Sequence, residues 1–350
     1  MKRYVYIDIV NCLAIFLVIV QHTAQIAHFG NPNALTTILA NVIQVVALPA
    51  VGLFFMNSGA TNLSYLDRYS TKIFFKRRIL KTVVPLLFWS VFFYLYSYKY
   101  YAFPGVIHHP QLGLHDFIQR FSDNRIDNLF WFFFVIIQLY LATPLLAVVA
   151  KFNELILKYS FYVGMIVAEI LPNLFAVLGF KYNQTNLGVP ILTGSWVIYY
   201  VFGYLVKNDL FTYRESRIIY GLGFIVLIVN ILNALTKSEY LVLNHVTLFF
   251  YTASLYLGIK YLTERFDLSK WANGFKLAAS ATLGIYILHP LALEFLDLLF
   301  FKVDESKWSL YLGVLRNPIH VLIWPFIIYF SLVPIVIGLR KFKPIRYILP

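Results

Sequence analysis

The chain has 350 residues, of which 60% are hydrophobic, 19% aromatic and only 13% charged, with a net charge of +13 and a mean hydropathy of +0.71. A soluble domain carries about 25% charged residues, so this balance excludes an ordinary soluble fold and implies a polytopic helical membrane protein. The cations lie between apolar runs rather than on one soluble face, which points to the inner leaflet and not to nucleic acid as their partner.

In chain order, the apolar runs predict ten transmembrane helices, near 4–27, 35–59, 82–101, 129–149, 159–179, 190–206, 216–236, 244–262, 276–299 and 318–339. Met1-Lys2-Arg3 runs straight into the first span with no small-residue cleavage site, so it reads as a retained helix. With the N-terminus inside, 21 of the 29 lysines and arginines fall in cytoplasmic segments and 8 in outer loops. That asymmetry is the expected positive-inside bias and puts both termini in the cytoplasm. The expected fold class is therefore all-α: a multi-pass protein of the cell (plasma) membrane, one transmembrane domain over 1–350 with no separate soluble domain. No internal repeat of the kind found in many transporters is visible.

The first span carries Asp8, Asn11, Gln21 and His22. Ionisable groups inside a membrane are costly and usually functional. At about 100° per residue, Asn11 and His22 point within about 20° of each other, and Asp8 diverges from His22 by about 40°. At 1.5 Å rise per residue, however, Asp8 lies about 21 Å from His22 along the helix, so the two form no dyad. His22 reads either as a general base, its neutral imidazole activating a hydroxyl, or as a polar residue hydrogen-bonded near the interface.

The basic run of residues 72–85 holds Arg77, Arg78 and Lys81. It reads as a positive-inside anchor or as a clamp for a phosphorylated ligand. Ser58 and Gly59 close the second span, where small residues also serve close helix packing. Trp131 sits where an interfacial aromatic belt belongs. Glu169 is the carboxylate farthest from any expected membrane edge, and His289 precedes Pro290, which frees a backbone carbonyl. The single Cys12 excludes a disulfide framework and a cysteine-built metal site. The histidines lack helical metal-ligand spacing, so no metal site is expected.

Taken in order, these segments resemble the integral-membrane acyltransferase family 3. The resemblance rests on His22 ending the first span, Phe54-Phe55-Met56-Asn57-Ser58-Gly59, Arg78-Ile79-Leu80-Lys81, Leu129-Phe130-Trp131-Phe132 and Tyr286-Ile287-Leu288-His289. It covers nearly the whole chain. Asn11 stands where the family usually has Arg or Lys, and Lys81 replaces the second Arg of its R-x-x-R run. The resemblance implies an acyltransferase that moves an acyl group, commonly acetyl, from cytoplasmic acyl-CoA to a sugar hydroxyl of a surface polysaccharide or lipid-linked glycan. Acyl-CoA would be a co-substrate and no cofactor would stay bound. His22 would be the base and Arg77, Arg78 and Lys81 the donor site, with Asp8, Asn11, Ser58, Trp131, Glu169 and His289 in support. His289 or Glu169 would be the partner of His22. The competing reading is an exporter or flippase of a lipid-linked or surface glycan, with these polar groups lining its path.

Overall fold

The computed structural model describes residues 4–100, 109, 111–180, 194–236, 246–303 and 307–350. Helix dominates, and no strand occurs among the described residues. The helices that matter below are α1 (Val5–Thr23), α2 (Leu35–Ala47), α3 (Ala50–Asn62), α4 (Thr71–Arg78), α5 (Val84–Lys99), α6 (Trp131–Phe152), α7 (Glu154–Gly164), α8 (Ser195–Lys207), α9 (Tyr213–Thr236), α10 (Val246–Arg265), α11 (Thr282–Phe301) and α12 (Trp324–Leu339).

Among the described residues, seven helical stretches are long and apolar enough to cross a bilayer: Val5–Phe29, Leu35–Asp67, Thr71–Lys99, Asn128–Phe152, Tyr213–Thr236, Thr282–Phe301 and Ile319–Leu339. They overlap seven of the ten expected spans. The other three regions are also helical where described. The expected span 159–179 is divided among α7, a π turn at Met165–Ile170 and a short helix at Leu171–Val177. That at 190–206 lies partly outside the described residues, and α8 covers the rest. The span at 244–262 corresponds to α10, whose last turns carry Lys260, Glu264 and Arg265.

The outward face of α5 is apolar while polar groups share its buried face. On α5, Leu87, Val91 and Leu95 follow one another at i, i+4 and are exposed, while Ser90, Tyr94 and Ser97 are buried. An apolar outer face suits lipid, and the buried polar face suits a bundle interior.

Prolines explain the breaks. Among the described residues, the π turns Ile79–Val83, Met165–Ile170 and Ile319–Ile323 each end two residues before a proline: Pro85, Pro172 and Pro325. A proline lacks an N–H and its ring strikes the carbonyl four residues earlier. Widening the preceding turn by one residue accommodates that ring without ending the helix.

The chain divides into two compact units, interleaved in sequence. The first unit comprises residues 1–14, 48–75 and 138–276. At its centre α3 and α8 pack backbone against backbone. A Cβ at Gly59 would lie 1.6 Å from the Tyr200 carbonyl oxygen, and one at Gly203 would lie 1.8 Å from that of Met56. Only glycine fits at either place, the small-residue logic of membrane helix pairs. Around this seam Thr143 bonds the Tyr200 hydroxyl at 2.8 Å, and Tyr65, Phe74 and Ala147 form an apolar cluster. The second unit comprises residues 15–47, 76–137 and 277–350. There Gly284 of α11 faces Val336 of α12, and the Trp89 indole N–H of α5 donates to the Ile348 carbonyl at 2.7 Å.

Candidate active site

The second unit brings two imidazoles together. His22, one residue before the end of α1, and His289, mid-way along α11, have ring centres 5.1 Å apart, tilted by 40°. The sequence His289-Pro290 fixes the second ring. Pro290 has no N–H to give to the Tyr286 carbonyl, four residues back. His289 Nδ1 lies 2.7 Å from that carbonyl oxygen and fills the gap. A carbonyl only accepts, so Nδ1 carries the hydrogen and the neutral ring presents a bare Nε2. His289 is 1% exposed, and its Nε2 has no hydrogen-bond partner. His22 is half-buried, and its Nδ1 makes a long 3.5 Å contact with the Gln25 amide.

Tyr286 ties this pair to the start of α6. Its hydroxyl donates to the Leu129 carbonyl at 2.6 Å, and its ring lies 5.1 Å from that of Phe132. The turn ahead of α6 is capped by Asp127, whose Oδ1 accepts from the Leu129 N–H at 2.8 Å. Burial, opposed by that single backbone hydrogen bond, pushes the Asp127 carboxyl up to about 7. Three segments picked out in the sequence therefore meet in one unit: the end of the first span, Leu129–Phe132 and Tyr286–His289.

The remaining expected residues take other places. Trp131 opens α6 and is half-buried. Arg77 and Arg78 close α4, and Lys81 lies in the π turn that follows; Arg77 and Lys81 are exposed and Arg78 is half-buried. Asp8, Asn11, Ser58 and Glu169 belong to the first unit. Asn57 donates to the Asn11 side-chain oxygen at 3.0 Å and to the Ile7 carbonyl at 2.9 Å, which fastens α1 to α3. Ser58 accepts from the Asn62 amide at 3.0 Å. Asp8 is buried, and Glu169 is buried within electrostatic reach of Tyr199. Of the two expected partners of His22, His289 is the one that shares its unit and stands against it. Among the described residues no three His, Cys, Asp or Glu side chains gather closely enough to hold a metal ion.

Three buried groups of the second unit were not noted in the sequence: Glu294, Asp297 and His320. Glu294 accepts from the Tyr96 hydroxyl at 2.8 Å. Asp297 accepts from the Trp324 indole and the Tyr311 hydroxyl, both at 3.0 Å, and lies 3.3 Å from His320 Nε2. Glu294, Asp297 and His320 all fall inside expected spans, so the rule that drew attention to His22 and His289 would also have drawn it to them.

Against known proteins, the profile of a family described as an acyltransferase domain matches residues 4–340. No curated protein and no solved structure matches the chain.

Proposed function

Because this chain belongs to that integral-membrane acyltransferase family and is an acyltransferase, we propose that it takes a short acyl group, acetyl first, from cytoplasmic acyl-CoA. The acceptor is a sugar hydroxyl of a surface polysaccharide or lipid-linked glycan precursor. The single observation that carries the reading is the imidazole pair of His22 and His289. Acyl transfer to an alcohol needs a neutral base beside the reacting oxygen, and positioned imidazole is the commonest one. In this reading His22 takes the hydroxyl proton as the oxygen attacks the thioester carbonyl. The C–S bond then breaks, and the departing CoA sulfur recovers the proton from His22. His289, its tautomer fixed by the Tyr286 carbonyl, holds a hydrogen-bond acceptor next to the ring that changes charge. Arg77, Arg78 and Lys81 suit the phosphates of CoA, with Lys81 offering a point charge where an arginine would bind in two-pronged fashion.

The test compares surface-glycan mass spectra from cells producing the wild-type protein, His22→Ala or His289→Phe. His22→Ala removes the acyl mass increment, and His289→Phe reduces it by about 10²-fold, the span of a general-base contribution. Undiminished acylation by His22→Ala at wild-type protein level refutes the assignment.

A further inference from the structure

The first helix ends one residue after His22, so its last carbonyls have no partner within the helix. Two separate segments of the second unit supply partners. Gln44 of α2 donates to the Gln21 carbonyl at 2.6 Å and to that of Ala24 at 3.3 Å. His320, in the π turn ahead of α12, places Nδ1 3.0 Å from the Thr23 carbonyl. The carbonyls on both sides of His22 are thus held from outside α1.

The His320 contact is itself braced. A carbonyl only accepts, so Nδ1 carries a hydrogen. Nε2 lies 3.3 Å from Asp297 Oδ2 without hydrogen-bond geometry, so the carboxylate stands behind the ring as a neighbour that limits where it can turn. Both Asp297 oxygens already accept, from Trp324 and Tyr311. His320 and Asp297 are 0% and 1% exposed. Burying such a pair is costly in desolvation, and replacing it with apolar side chains is often no less stable. Stability alone is therefore a poor reason for it to stand here.

We propose that Gln44 and the His320–Asp297 pair are positioning residues, a clamp that fixes the end of α1 so that the His22 ring is held against His289. A shift of about 1 Å at a reacting group can cost on the order of 10² in rate, so a rigid anchor one peptide away from a base has a kinetic role. The proposal rests on reading His22 as the base, and its test has one readout that does not depend on acyl transfer.

Two double variants replace both members of the pair together, so that neither side chain is left facing an unmatched partner. His320→Gln with Asp297→Asn keeps an amide donor for the Thr23 carbonyl, whereas His320→Phe with Asp297→Asn removes it. The full-length proteins in membrane vesicles are treated with diethyl pyrocarbonate, and modification of His22 is followed by mass spectrometry. The Phe variant is expected to react at least about threefold faster than the Gln variant, because the ring is released. With acetyl-CoA as donor, its kcat is expected to be at least about tenfold lower at unchanged donor KM, while the Gln variant approaches wild type. Equal His22 reactivity in the two variants overturns the clamp, whatever the activity shows. Loss of the kcat difference despite a reactivity difference overturns its kinetic role. If His22→Ala transfers acyl groups normally, the assignment of the base fails instead, and the reactivity comparison still judges the clamp. Should the double variants fail to accumulate, Gln44→Met, which buries no charge, takes their place: wild-type reactivity of His22 in that variant overturns the proposal.

Discussion

In the first unit several charges are paired between segments. Lys158 of α7 bonds Glu215 of α9 at 2.9 Å, Lys260 of α10 pairs with Asp209, and the Tyr204 hydroxyl reaches Glu154 at 2.8 Å. Its helices touch through glycines, where nothing can move without a backbone collision. Both units keep buried polar atoms with no hydrogen-bond partner, such as Asn57 Oδ1 and Asn62 Oδ1 in the first, but in the second, beside paired groups such as Tyr96 with Glu294, they include an imidazole nitrogen, His289 Nε2. An unsatisfied buried acceptor costs about 1–3 kcal/mol. A protein keeps such a group where it has a use, and here the group stands against a second histidine. On the proposed reading, the glycine seam of the first unit serves cohesion and the imidazole pair of the second serves the chemistry.

The strongest way to break that contrast is to attack the glycine seam. In Gly59→Ala the new methyl would sit 1.6 Å from the Tyr200 carbonyl oxygen, and backbone cannot swing aside as a side chain can. Overpacking usually costs 1–3 kcal/mol, and a clash with main chain belongs at or above the top of that range, about 3 kcal/mol. Detergent-extracted Gly59→Ala protein should show a clearly lowered thermal midpoint, and whatever protein remains folded should keep the wild-type KM. A wild-type midpoint would mean that α3 and α8 are not tightly joined.

A smaller effect sharpens the second side of the comparison. Asp127 caps the turn leading into α6, and burial raises its carboxyl to about 7. An acid whose folded value is raised binds its proton more tightly when folded. Its contribution to stability is therefore complete below the unfolded value near 4 and is lost as pH climbs through about 7. Between pH 5 and pH 8 this amounts to on the order of 2 kcal/mol. Asp127→Asn keeps the capping oxygen and loses the titration. Its midpoint should vary less with pH than that of wild type, and the gap should be widest at pH 8. Parallel pH curves for the two proteins would show that Asp127 does not titrate in this window.

Much of this was legible in the residues, for reasons that differ by feature. Long apolar runs report spans directly, because lipid leaves the backbone few options but helix. The seven long apolar stretches therefore appear where hydropathy puts them, and α8, with 13 residues, was the harder case. His22 and His289 could be noticed separately, since a membrane histidine is unusual wherever it occurs. Their proximity could not, because a contact between residues 267 positions apart is a property of packing and not of either helix. The same holds for Asp297 and His320, whose 3.3 Å approach joins a helix to a π turn. Glu169 shows the reverse. Its sequence context was as suggestive as that of His289, but the chain assigns it to the first unit.

Asn11 offers the finest test of the division, because the family usually carries a cation there. Here its side-chain oxygen accepts from Asn57 at 3.0 Å, and Asn57 also holds the Ile7 carbonyl. The amide is thus engaged in fastening α1 to α3 inside the first unit. If cohesion is its whole task, Asn11→Ala loses one neutral hydrogen bond, about 1 kcal/mol, while the second Asn57 contact persists. The midpoint should fall slightly, and both kcat and the acyl-CoA KM should stay within twofold of wild type, roughly the scatter expected for a site with no part in transition-state binding. A tenfold rise in the acyl-CoA KM with an unchanged midpoint would reverse the argument. It would mean that the first unit handles the donor through a neutral amide at the position where relatives use a charge, and that cohesion and chemistry are not divided between the two units.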